Sequence, residues 1–278
     1  MTIQQGKYSS PQMRSRIRMS IGRFYFTWRR YLIWLINRTK YTRTKQKQPL
    51  QFTIYNHKTP LLRELRNVDM WLQHNKIKNL RIATKRLNGI IINPGETLSF
   101  WRVVGKPSKI KGYAEGMVLY NGTFRPEVGG GLCQLSNLIY WMTLHTPLTV
   151  TERWRHSYDV FPDSKRTQPF GSGATVAYNY IDLQITNNTD EIYQLNVWVG
   201  DKYLHGQWCC SQPAKLYYHV YETNHIFTHE QWGGHMRHNV LRRKVFDTND
   251  KIIRDEYITE NHAVMMYAPF LPEGKIKN

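Results

Sequence analysis

The clearest periodicity lies in residues 132–145. Leu135, Leu138, Ile139 and Met142 recur at spacings of three and four and predict a helix that Pro147 ends. A second helical region spans about residues 67–88, with Leu80, Ala83 and Leu87 on one face and Gly89 as a natural stop after Asn88. Elsewhere the pattern is that of short strands. Residues 90–92 and 97–101 flank the turn Asn93-Pro94-Gly95-Glu96, and residues 114–120 run into Asn121-Gly122. Val, Thr, Tyr and Ile enrich residues 148–154, 175–186 and 192–199, the last two separated by the turn Asn187-Asn188-Thr189-Asp190. After Gln212, strand-like runs cover residues 215–221, 240–246 and 252–259, with Gly233-Gly234 and residues 247–250 as reversals. The expected fold is α+β: a mixed helix and strand core, a Gly-rich loop leading into a Cys-bearing helix, and a β-rich C-terminal part. The expected organisation is a basic leader and connector over 1–50, a core domain over 51–210 and a β-rich extension over 211–278 packed on the core.

Composition changes the picture at one end. The 278 residues carry 39 Lys+Arg against 20 Asp+Glu, a formal charge of +19, and 41% hydrophobic residues exclude wholesale disorder. Up to residue 63 there are 14 Lys/Arg and no acid; the remainder holds 25 against 20. The excess therefore belongs to a leader running from Lys7 to Lys47, and nucleic acid is not an expected partner. Within it, FYFTWRRYLIWLI (24–36) is interrupted by Arg29 and Arg30 and falls short of the roughly 20 apolar residues of a spanning helix. No small-residue cleavage site follows it. The leading expectation is an amphipathic helix packing Trp28, Leu32 and Leu35 on the main domain. The alternative is attachment of residues 1–45 to an anionic membrane surface.

The densest chemistry is Gly129-Gly130-Gly131-Leu132-Cys133-Gln134. Three glycines permit a sharp turn or a close approach, and the helix starts at once, placing Cys133 where free N–H groups favour a thiolate. Gln134 brings an amide that could donate to an oxyanion. His156, after the next strand, is a candidate base, and Asp182 a candidate to orient it, with Asp159 as a substitute. Each residue has a plainer reading: a small buried Cys, a His in a polar turn, a carboxylate capping a turn or paired with an Arg. Glu127 is expected to pair with Arg125, and Glu152 with Arg153 or Arg155.

Leu87-Asn88-Gly89, Asn93-Pro94-Gly95-Glu96, Ser99-Phe100-Trp101 and the GGGLCQLSN run at 129–137 together resemble the VanW family. His145-Thr146-Pro147-Leu148-Thr149, Glu152-Arg153, Ala174-Thr175-Val176, Ile181-Asp182-Leu183 and residues 187–190 continue the match in order, over about residues 67–206. The resemblance implies an accessory protein of glycopeptide resistance, whose gene sets remodel the D-Ala-D-Ala end of peptidoglycan precursors, with no established activity of its own. It carries over onto Gly129, Gly130, Gly131, Cys133, Gln134, His156 and Asp182 as motif positions. Relatives often have Asp before the Ala-Thr-Val block, where this chain has Gly173. The expected partner is a peptidoglycan precursor or peptide-like ligand.

His219, His225, His229, His235 and His238 crowd one stretch, but their spacing matches no compact zinc motif, and a polar, exposed hairpin is expected there instead. Neither a metal nor a cofactor is expected. Three cysteines are too few for a disulfide scaffold, and the adjacent Cys209 and Cys210 read as reduced thiols. The expected location is cytoplasmic, with attachment to the inner face of the membrane as the alternative.

Overall fold

The computed structural model describes residues 10, 14–62, 69–120, 122–160 and 168–267. Lys7, the first residues of the helical region at 67, and the turn residue Asn121 lie outside them. The fold is α+β, rich in strand and β-rich toward the C-terminus.

Helices α1 (Arg16–Ile36), α2 (Met70–Leu87), α3 (Phe100–Val104) and α4 (Cys133–Thr143) serve three sheets and a hairpin. The first sheet is antiparallel, in the order β1 (Phe52–Pro60), β10 (Tyr203–Cys210), β9 (Tyr193–Val199), β2 (Ile90–Ile92). Helix α2 lies against β9, and α4 against β10 and β1. Gly206 of β10 allows that approach: a Cβ there would stand 2.6 Å from the Met142 methyl of α4. Trp208 of β10 is fully buried and donates its indole N–H to Thr143 Oγ1 at 3.2 Å. Leu80, Ala83, Leu87, Leu135, Leu138, Ile139 and Met142, the two predicted stripes, all sit in this core.

A second sheet orders β3 (Thr97–Ser99), β8 (Gln184–Thr186) and β6 (Thr149–Glu152). Strand β4 (Glu115–Tyr120) pairs with β5 (Thr123–Val128) as a hairpin. The last sheet consists of the long strands β11 (Tyr217–His229), β12 (His235–Phe246) and β13 (Ile252–Met265), with β7 (Tyr158–Asp159) added parallel to β13. The core thus contributes a strand to the C-terminal sheet.

Three expectations change. The run expected to be strand to Trp101 turns helical at Phe100, because Ser99 caps α3 and its Oγ accepts from Arg102 N at 3.2 Å. The strand expected over 175–186 shrinks to β8: the chain bends through residues 178–180, closed by Ala177 and Ile181 bonding to each other. The leader helix starts earlier than its apolar run, capped by Ser15. It also does not pack Trp28, Leu32 and Leu35 inward; they are 59%, 54% and 83% exposed. The face that docks instead carries Met19, Arg30 and Trp34. Met19 Sδ meets Tyr120 OH at 3.3 Å, Trp34 packs on the core, and Arg30 forks onto Glu152 at 2.6 and 2.5 Å. Among the described residues no helix is long and apolar enough to cross a membrane.

Candidate functional site

The three glycines are accounted for by the protein's own packing. Gly129 and Gly131 hold φ of +83° and +91°, the left-handed region. A Cβ on Gly130 would stand 2.1 Å from the Gly116 carbonyl oxygen, and one on Gly131 would stand 2.2 Å from Lys76 Cγ. Asn79 of α2, fully buried, fixes the loop by donating to the carbonyls of Gly130 (2.9 Å) and Ala114 (3.0 Å) while accepting from Ala114 N (2.8 Å). Sequence reasoning missed Asn79 and Lys76. The signal available was a pair of polar residues, 76 and 79, in register with the apolar stripe of α2.

Cys133 opens α4 as expected, yet its surroundings do not favour a thiolate. Its Sγ lies 3.7 Å from the Val176 carbonyl oxygen, and burial pushes the thiol up from its ordinary value despite the helix N-terminus. Gln134 uses its amide N–H groups on Thr59 Oγ1 (3.0 Å) and the Pro60 carbonyl (2.8 Å) of β1, which pins the strand end to α4. His156 makes no side-chain hydrogen bond among the described residues. Burial, with the Arg155 guanidinium beside it, pushes its imidazole down to about 4.

Asp182 is fully buried and faces a different group altogether. Its carboxylate accepts from Ser99 Oγ (2.5 Å), Trp101 N (3.0 Å) and Leu183 N (2.9 Å), so it caps α3 together with Ser99. Burial raises it to about 7 against the pull of those donors. Asp159 meets Arg237 (3.3 Å) and Tyr267 (2.8 Å). Neither carboxylate is hydrogen-bonded to His156 among the described residues, so the Cys133, His156 and Asp182 side chains are not linked in a relay. Glu127 pairs with Arg125 at 3.0 Å, as expected. Glu152 does not pair with Arg153 or Arg155; Arg30 takes it, and Trp154, Gln184 and the Asp182 N–H complete its set. Arg153 instead donates to the Gly173 and Gly171 carbonyls. At Gly173, a Cβ would come within 2.7 Å of Asn137 Oδ1, which accepts from Ala174 N.

What the structure does bring together is a groove. An open trough of about 2670 Å³ is bordered by α1, the end of β1, the glycine loop, the start of α4 and residues 155–160. Gly129, Gly130, Gly131, Cys133, Gln134 and His156 all line it; Asp182 does not. Its volume exceeds the roughly 300–1,000 Å³ of small-molecule pockets, which suits an extended ligand. Eight Lys/Arg residues line it, Lys58, Lys76, Lys106 and Arg155 among them, against Glu127 and Asp159. Both acids are already paired with Arg125 and Arg237, so the trough presents positive charge.

In the C-terminal sheet, His219, His225 and His229 are exposed as expected of the hairpin, whereas His238 is not. His238 is fully buried, with Thr228 Oγ1 at 2.9 Å and His262 Nδ1 at 2.7 Å from its ring nitrogens, because it faces β13 rather than solvent. His225 accepts from Arg237 Nε at 2.9 Å. Among the described residues no three His, Cys, Asp or Glu side chains gather as a metal would need, and all three cysteines are free thiols.

A three-residue glycine turn held by Asn79 thus runs straight into the Cys-bearing helix α4, and Asp182 is buried on the Ser99 cap of α3. The chain belongs to the VanW family; the family model described as VanW like protein matches residues 75–209. It is 35% identical over 221 residues to vancomycin B-type resistance protein VanW of Enterococcus faecalis, covering 80% of this chain and 77% of that protein. It is also 28% identical over 113 residues to the uncharacterized protein YoaR of Bacillus subtilis, covering 41% of this chain and 36% of that one. No solved structure matches.

Proposed function

We propose that this protein contributes to glycopeptide resistance, as the name of its Enterococcus relative records for that protein, by binding peptide-like cell-wall precursor in the trough. The observation that carries the reading is the positive trough lined by the glycine loop, Gln134 and Cys133. A precursor peptide is extended and ends in a carboxylate, the shape and charge such a trough accommodates. Lys58, held over the Tyr203 ring at 4.8 Å, and Lys106 stand at the wall as carboxylate partners.

A thiol mechanism is the second reading, favoured by one observation: Cys133 and His156 line the same trough. In it His156 takes the Cys133 thiol proton as the sulfur attacks a peptide-like carbonyl, the amide C–N bond breaks with that proton passing to the leaving amine, and water hydrolyses the thioester to free the thiol. This requires Cys133 and His156 to close on each other when ligand binds. Asp182 has no part in that version, since it holds the cap of α3.

Titrating the protein with an acylated Lys-D-Ala-D-Ala peptide and following tryptophan fluorescence tests both. Binding that weakens about tenfold in Lys58→Gln/Lys106→Gln and persists in Cys133→Ala supports the binding protein. Absence of binding by the unmodified chain overturns it. Peptide turnover abolished in Cys133→Ala would establish the thiol reading in its place.

A further inference from the structure

Helix α1 has two faces, and only one is explained by the fold. Ile17, Ile21, Phe24, Trp28, Leu32 and Leu35 recur at spacings of three and four along the face opposite Arg30 and Trp34. Their exposures are 74%, 64%, 66%, 59%, 54% and 83%. Six adjoining apolar side chains on one solvent-facing row amount to a patch that a soluble surface does not keep bare. The helix also carries Arg16, Arg18, Arg23, Arg29 and Arg30 and no acid, and among the described residues only Arg30 pairs with a carboxylate.

Charge selects the occupant. A second copy of the helix laid on this row would bring arginines against arginines with no acid to alternate with them, and helix pairs are oriented by opposite charges at such flanks. A lipid surface with anionic headgroups meets both features at once. The apolar row enters the acyl boundary, Tyr25 and Trp28 sit at headgroup depth, and Arg18 and Arg29 reach phosphates. We infer that α1 lies in the plane of an anionic membrane, apolar face down, and holds the rest of the protein at that surface. Because α1 also borders the trough, the trough's mouth is then held beside the bilayer. Phe24, Trp28 and Arg18 also edge the trough, so the variant that separates the two readings is drawn from Ile21 and Leu35, which do not.

The test is co-sedimentation of the full chain with phosphatidylglycerol–phosphatidylcholine vesicles and with pure phosphatidylcholine vesicles. Binding is expected to the anionic vesicles alone and to fall as salt shortens the reach of charge. Arg18→Gln and Arg29→Gln should each weaken it about fivefold. Ile21→Asp/Leu35→Asp should weaken it more than about tenfold with an unchanged thermal transition, since both side chains are exposed. Neither residue lines the trough, so peptide titration of that variant should match the unmodified chain, which separates failure here from failure of the binding reading. No sedimentation with anionic vesicles, equal binding to neutral ones, or full binding by Ile21→Asp/Leu35→Asp would overturn the inference. A concentration-dependent dimer lost in that variant, without vesicle binding, would assign the face to a second copy.

Discussion

Helices α4 and α1 carry the same apolar spacing and meet opposite fates. Eight of the eleven residues of α4 are buried, and none of the twenty-one of α1 is. The difference is not the stripe but what surrounds it. Helix α4, CQLSNLIYWMT, has no charged residue, so it sinks between β1, β10 and the loops and is covered on nearly every side. Helix α1 has five arginines, whose desolvation would cost far more than the stripe gains unless each met a carboxylate. Among the described residues only Glu152 is offered, so α1 docks along one narrow line and leaves its apolar row outside. Periodicity predicts that a helix is amphipathic; the charges beside the stripe decide which medium it faces.

The sharpest way to break the comparison is to truncate one side chain in each row. Leu138→Ala in α4, at 1% exposure, should destabilise the protein by about 2–5 kcal/mol, through lost burial and the cavity left behind. Ile21→Ala in α1, at 64% exposure, should change stability by less than about 0.5 kcal/mol. Urea unfolding midpoints measure both. Similar losses would mean that the α1 row is covered in the folded protein and that the contrast is false.

A second test concerns the buried carboxylate behind the α3 cap. Asp182 titrates near 7 in the folded protein and near 3.8 ordinarily, so between about pH 4 and 7 the folded state keeps a proton that the unfolded chain has released. Its contribution to stability therefore falls as pH rises through that window, by at most about 1.4 kcal/mol per pH unit. His156 slopes the other way: folded near 4 against an ordinary 6.5, it weakens the fold as pH drops from about 6.5 to 4. Asp182→Asn should remove the first slope and leave the second. Relative to the unmodified chain, it should gain stability between pH 5 and 8 in urea titrations. Parallel stability curves for the two proteins would show that Asp182 is ionised throughout and held by Ser99, Trp101 and Leu183.

How much of this was legible follows from sequence distance. The stripes of α2 and α4, the turn at 93–96 and the hairpin of β4 and β5 depend on neighbours a few residues apart, and their patterns stand in the sequence. The glycine loop was legible as a place of close approach; that Gly116 and Lys76 do the approaching, rather than a ligand, depends on chain fourteen or more residues away. Asp182 read equally well as a catalytic or a capping carboxylate, because its partners Ser99 and Trp101 come from more than eighty residues upstream. Arg30 misled in the same way. It looked like an interruption of an apolar run, whereas it is the residue by which the run is attached, through Glu152 at 122 residues' separation.

That attachment supplies the smallest effect and the finest test of the comparison. Arg30 forks onto Glu152 with both groups mostly buried, and adds a bond to the Tyr180 carbonyl at 3.3 Å. Beside it, Tyr31 OH meets Tyr178 OH at 2.6 Å and Arg102 reaches the Trp34 carbonyl at 3.5 Å. Arg30→Ala removes the only ion pair holding α1 among the described residues, yet Glu152 keeps Trp154, Gln184 and the Asp182 N–H. The urea midpoint of the core should therefore move by no more than about 1 kcal/mol, because the remaining donors still satisfy the carboxylate. Trypsin, by contrast, should cut after Arg23 or Arg29 several times faster, since a helix freed from its docking line opens locally without the core. A large fall in the midpoint would show instead that α1 is integral to the core, in which case its exposed row belongs to the folding unit and not to a separately docked surface element.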